Sequence, residues 1–97
     1  MNEIEATKVL RRYFPAVPQR RLATILDTQS VGVLPGFEQL GPRTQADIRD
    51  AFRIAQLGLG GCEVPSWATI YGRIRRADKQ IAAEAQQEID QQQPVGV

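Results

Sequence analysis

From Trp67 to Ile89, apolar residues recur at Trp67, Ile70, Ile74, Ala77, Ile81, Ala85 and Ile89, and every interval is three or four. That is the period of one helix face. Sustained for over six turns, it commits the last third of this 97-residue chain to a single long helix starting near Pro65 or Ser66. A long helix with one apolar side cannot stand alone in water. It needs shorter elements laid against that side, and most of what precedes it has the same period.

In "NEIEATKVLRRYF", Ala6, Val9, Leu10 and Tyr13 fall at helical spacing with Lys8, Arg11 and Arg12 off the stripe, and Pro15 follows as a stop. The spacing predicts a first helix over 3–14. Pro18 stands near the first turn of a second helix over 18–28, where its missing N–H does no harm, and Leu22, Ile25 and Leu26 form its buried stripe. "RTQADIRDAFRIAQLG" reads as a further helix with Thr44 as cap, Asp47 near its positive end, Gly58 at its stop, and Ile48, Ala51, Phe52 and Ala55 facing inward. Between these two, "SVGVLPGFEQLGP" alternates glycine and proline with apolar residues. A short helical turn near 36–40 that packs Phe37 and Leu40 inward is preferred there over a partner-binding loop.

No strand-like alternation and no internal repeat is found. The expected fold is all-α, a small bundle of four to five helices with a long C-terminal helix. It forms a single helical domain over 1–90 with a frayed tail at 91–97, where "PVGV" has little to bury. The opening "MNEIEATKVL" has two acids before Lys8 and no long apolar run, so neither a signal peptide nor a membrane anchor is expected and a cytoplasmic location follows.

Chemistry is sparsely provided. There is no histidine and one cysteine, Cys62, so an internal disulfide is ruled out and the usual zinc ligand sets are missing; neither metal nor cofactor is expected. Without histidine, a general base near neutral pH would need a strongly shifted carboxylate or lysine. Asp47 and Asp50 share a helix face, but with Arg43, Arg49 and Arg53 around them ion pairing is the simpler reading. The glycines of "GLGG" at 58–61 follow a helix, whereas phosphate-binding loops follow a strand. Ser30 and Ser66 have no triad partners, and the chain is read as a non-enzyme.

Charge supplies the remaining signal. The net charge is +1 and the pI about 7.9, too low for a basic nucleic-acid coat. The charge is segregated, however. Residues 1–21 carry +3 (Lys8, Arg11, Arg12, Arg20 and Arg21 against Glu3 and Glu5), and residues 64–79 carry +3 (Arg73, Arg75, Arg76 and Lys79 against Asp78). Residues 22–63 carry −2 and residues 80–97 carry −3. Two basic segments that fold together would make one positive face.

"IAQLG" followed by "VPSWATIYGRIRR" resembles the last two helices of small bacterial and phage helix-turn-helix regulators, with Ser66, Ala68, Thr69, Ile70, Tyr71 and Ile74 as the matching positions over about 48–77. The resemblance implies a helix-turn-helix-like bundle whose long helix enters the major groove of double-stranded DNA, commonly as a homodimer. It implies that Ile70 and Ile74 pack in the core. Ser66, Thr69 and Arg73 would then face base edges, with Arg73 reaching a guanine, and Arg75, Arg76 and Lys79 would lie nearer phosphates. The cluster Arg11, Arg12, Arg20 and Arg21 is expected to widen the same surface, while Trp67 is expected in the core. The function implied is that of a small phage- or plasmid-type transcriptional regulator. The rival reading is a protein-binding module, such as a small phage-encoded inhibitor of a host complex, whose basic helix face meets an acidic protein surface.

Overall fold

The computed structural model describes residues 1–58, 61 and 63–92, the last three by their backbone. Four α-helices follow in order: α1 (Glu3–Tyr13), α2 (Gln19–Thr28), α3 (Pro42–Leu57) and α4 (Trp67–Gln92). Two single 3₁₀ turns at Val31–Val33 and Phe37–Gln39 lie between α2 and α3. Among the described residues there is no strand, and no helix is long and apolar enough to cross a membrane. The fold is all-α, as the spacing predicts. Helix α4 continues to Gln92, two residues past the expected end of the domain; the rest of the expected frayed tail, and Cys62 with most of "GLGG", lie outside the described residues.

Local chemistry sets the helix ends. The Asn2 side-chain oxygen accepts the Glu5 N–H at 2.8 Å, with Glu3 and Glu5 in the first turn of α1 and Arg11 and Arg12 in its last, each charge sign matching the helix dipole. At the end of α2, the Gln56 amide donates to the Leu26 carbonyl at 2.8 Å, which satisfies one of the last turn's orphan acceptors. Helix α3 begins earlier than expected. Gly41 is its cap and Pro42 its first helical residue, so Thr44 lies inside the first turn. Proline at this position has its φ already set and no N–H to leave unsatisfied, which outweighs the capping value of a threonine two residues on. The helix ends at Gly58 with φ +77°, a backbone conformation that favours glycine, and a Cβ there would lie 3.0 Å from the Glu3 carboxylate, whose side chain would have to shift.

The apolar loop between α2 and α3 packs as expected. Phe37 is buried and Leu40 half-buried, and Leu34 is buried as well. Gln45 of α3 shares its amide hydrogens among the carbonyls of Phe37, Glu38 and Leu40 at 3.2, 3.3 and 3.0 Å, which holds the loop onto the bundle.

Helix α1 is the centre of the fold: α3 packs along one side of it and α4 along another, while α2 packs mainly against α4. The core joins Ala6 and Leu10 of α1, Leu22, Ile25 and Leu26 of α2, Ile48, Ala51, Phe52 and Ala55 of α3, and Ile70 and Ile74 of α4. Because two helices flank α1, it buries more than one stripe. Thr7 and Phe14 are inside, and so is Arg11, whereas Tyr13, which the spacing puts on the buried side, is 49% exposed.

Three ion pairs among the described residues join α1 to α4. The expected pairing of Asp47 and Asp50 with α3 arginines is not found among the described residues. Arg49 instead lies over the Phe37 ring at 5.3 Å. Lys8 and Arg12 of α1 both bind the Glu84 carboxylate of α4, Arg12 at 2.8 Å. The Lys8 hydrogen bond, helped by the two positive charges, holds the Glu84 carboxyl below its ordinary range. A carboxyl whose pKa is depressed by folding stabilises the fold above its unfolded pKa, and that contribution is lost as the pH falls through the folded value. Acidification below the normal carboxylate range should therefore loosen α1 from this part of α4, and Glu84→Gln should flatten the acid limb of the melting temperature against pH. An unchanged acid limb would show that the pair contributes nothing.

Candidate nucleic-acid interface

Helix α4 has two opposite sides. Ile70, Ile74 and Ala77 are buried against the bundle. Gly72, Arg75, Arg76 and Lys79, spaced three, four and seven apart, occupy the reverse stripe, and all four are exposed. They line a shallow basic recess of about 270 Å³. Gly72 makes its floor, since nothing lies within 4 Å of where its Cβ would be. None of the three cations has an ion-pair partner among the described residues; the carboxylates closest in sequence, Asp78 and Glu84, are held by Arg11, Gln19, Lys8 and Arg12.

One edge of this stripe is aromatic. Trp67 and Tyr71 stack with centroids 5.0 Å apart and planes 15° from parallel, and the Arg75 guanidinium lies 5.8 Å from the Tyr71 ring centre. Trp67 is half-buried at the rim, not wholly within the core as the sequence suggests. Its indole N–H donates to the Thr24 hydroxyl of α2 at 3.2 Å, because a buried indole nitrogen needs an acceptor and α2 offers this one. Thr24 in turn donates to the carbonyl of Arg20, one turn earlier. The exposed Arg20 side chain thus starts from the α2 flank that adjoins the aromatic pair.

The other residues singled out from the sequence are distributed as follows. Ser66 is the cap of α4: its hydroxyl accepts the Thr69 N–H at 3.3 Å and lies 2.9 Å from the Thr69 hydroxyl. Both residues are exposed at the start of the basic stripe, with their hydroxyls engaged in the cap. Arg73 lies at the border of the buried face, half-buried, with Nη1 shielded from solvent and without a hydrogen-bond partner. Arg21 is exposed but belongs to a different recess, between the end of α1, the start of α2 and the following turn. Arg12 is tied to Glu84.

Arg11 departs furthest from expectation. It is 9% exposed, its Nε donates to Asp78 Oδ1 at 2.8 Å, and its Nη1 donates to the carbonyls of Phe14 at 3.3 Å and Val17 at 2.6 Å. Gln19 completes the group by donating to Asp78 Oδ2 at 2.6 Å. Arg11 therefore ties the α1–α2 turn to α4 and contributes nothing to the exposed surface. Nothing in the sequence marks Asp78 for this role except that it is the sole acid among the four cations of 64–79.

Among the described residues no group of histidine, cysteine or carboxylate side chains could hold a metal ion. The exposed stripe offers fixed positive charge and planar hydrogen-bond donors, which is chemistry for recognising anions. Comparison of the chain with protein-family models, with curated proteins and with solved structures gives no match.

Proposed function

We propose that this protein binds double-stranded DNA through the exposed stripe of α4, in the manner of a small transcriptional regulator. The observation that carries the reading is the set Arg75, Arg76 and Lys79 around Gly72: three cations on one helix face, directly opposite the core, with no carboxylate committed to them among the described residues. A helix fits the roughly 12 Å width of the major groove, and a stripe of this kind places guanidinium groups where guanine edges and phosphates lie. A small residue at the N-terminal end of the stripe, Gly72, lets the helix backbone approach the duplex closely there. Arg20 extends the positive charge to the neighbouring helix, where a phosphate flanking the groove would be met. In this reading α4 is presented by α1 and α2, on which it packs, with α3 behind α1.

Fluorescence anisotropy with labelled duplex DNA tests the reading. Binding should be measurable at low salt and should fall steeply and log-linearly as salt rises. Absence of binding at low salt would overturn it. Capture of an acidic protein in that case would move the assignment of the same three cations to the protein-binding alternative.

A further inference from the structure

The α4 stripe that faces the core does not stop where the core stops. α4 has 26 residues, about 39 Å of helix, whereas its two supports, α1 and α2, have 11 and 10 residues, about 15–16 Å each. The last covered positions are the half-buried Ile81 and Glu84; beyond them Ala85, Gln86, Gln87, Glu88 and Ile89 are all exposed, Ile89 at 50%. Glu88 continues the core-facing side of the helix, and Ala85 and Ile89, five turns on from Trp67 and Tyr71, continue its half-buried edge, so the uncovered end presents an apolar ridge with a carboxylate beside it. No Lys or Arg follows Lys79, which leaves this end acidic.

A complementary surface exists on the same chain. Tyr13, Phe14, Val17, Ile25, Val33 and Pro35 line a recess of about 480 Å³ where α1 turns into α2. Tyr13 and Val33 are about half exposed there, and Arg21 is the one charged residue among the described residues on the lining. An apolar recess with a single cation and an apolar ridge with a carboxylate are two halves of one contact. The recess of a given molecule cannot be filled by its own Ile89, which is held at the end of a continuous helix. We infer that the protein self-associates by docking the Ala85–Ile89 end of α4 from one copy into the Tyr13–Pro35 recess of a second, with Glu88 paired to Arg21. This is helix-in-groove recognition with anchors at i and i+4. Two such contacts related by a twofold axis close a dimer. The inference does not rest on the DNA reading, since its contact joins the C-terminal turns of α4, more than a turn beyond Lys79, to a recess between α1 and α2, and uses none of Arg75, Arg76 and Lys79.

Sedimentation analysis of the full chain over a range of concentrations tests it. A reversible dimer is expected, and Ile89→Asp and Val33→Asp, both at exposed positions, should each raise the dimer dissociation constant by about tenfold or more while circular dichroism stays unchanged. Arg21→Glu and Glu88→Arg should each weaken the dimer, and the double variant should recover it. Mixing Ile89→Asp with Val33→Asp chains should restore association, because one intact ridge and one intact recess then meet. A monomer at every concentration overturns the inference. So does a dimer lost on Ile89→Asp but indifferent to Val33→Asp and Arg21→Glu, which would mean that the α4 ends pair with each other.

Discussion

Arg11→Ala should lower stability by about 3–4 kcal/mol, read as a fall in the urea midpoint with the slope unchanged. The substitution takes away the guanidinium donor of the Val17 carbonyl, while the Phe14 carbonyl keeps the Val17 N–H at 3.3 Å, and an unsatisfied buried acceptor costs about 1–3 kcal/mol. It also removes the one cation bonded to Asp78 among the described residues and empties the space of a long side chain between α1 and α4. Against a total of about 5–15 kcal/mol for a domain this size, the loss is a large fraction. The control is its neighbour. Arg12→Ala breaks an ion pair too, but Arg12 is exposed and its pair with Glu84 is a surface one, so the cost should be about 0–1 kcal/mol. Arg11→Lys should recover little of the loss, because one ammonium cannot serve a carboxylate and two carbonyls in the directions that a planar guanidinium does. Equal costs at positions 11 and 12 would show that Arg11 is not the tie between the turn and α4.

The contrast between these neighbours also marks the limit of what periodicity reveals. In α3 the stripe Ile48, Ala51, Phe52 and Ala55 is legible because one side of the helix is covered, and all four are buried as read. In α1 the same reasoning puts Tyr13 inside and Arg11 outside, and both are reversed, because a helix flanked by two others buries an arc wider than its apolar residues alone define. The basic cluster at 8–21 looks like one patch in the sequence. Folding divides it: Lys8 and Arg12 go to Glu84, Arg11 goes inward to Asp78, and Arg20 and Arg21 stay exposed on different sides. Those carboxylates lie 67 to 76 residues away in the chain, so no local pattern can announce the pairing. Arg75, Arg76 and Lys79 of α4 are exposed as read, by contrast, since their exposure depends only on which side of α4 carries the isoleucines, whereas Arg73, read with them as facing base edges, is half-buried at the border of the core face.

That stripe is where the largest functional effect should appear. Replacing Arg75, Arg76 and Lys79 together by alanine should weaken duplex DNA binding on the order of a hundredfold to a thousandfold, taking about 1–1.4 kcal/mol for each cation. The magnitude of the salt slope should fall by about 3, near one for each phosphate contact removed. Stability should move by no more than about 0.5 kcal/mol, since the three side chains are exposed, have no ion-pair partner among the described residues, and give way to the strongest helix former. A lowered affinity in a folded protein then reports on the surface itself. The necessary comparison is Arg43 and Arg53, two exposed arginines on α3, replaced in the same way. If binding follows total charge, each arginine lost should cost the same wherever it sits. If α4 meets the DNA, the α3 pair should leave both affinity and salt slope nearly untouched. Arg20→Ala, added to the α4 triple variant, should lower affinity further, because Arg20 flanks the aromatic edge of that stripe, whereas adding Arg12→Ala should not, because Arg12 is held at Glu84, between α1 and α4 and away from that stripe.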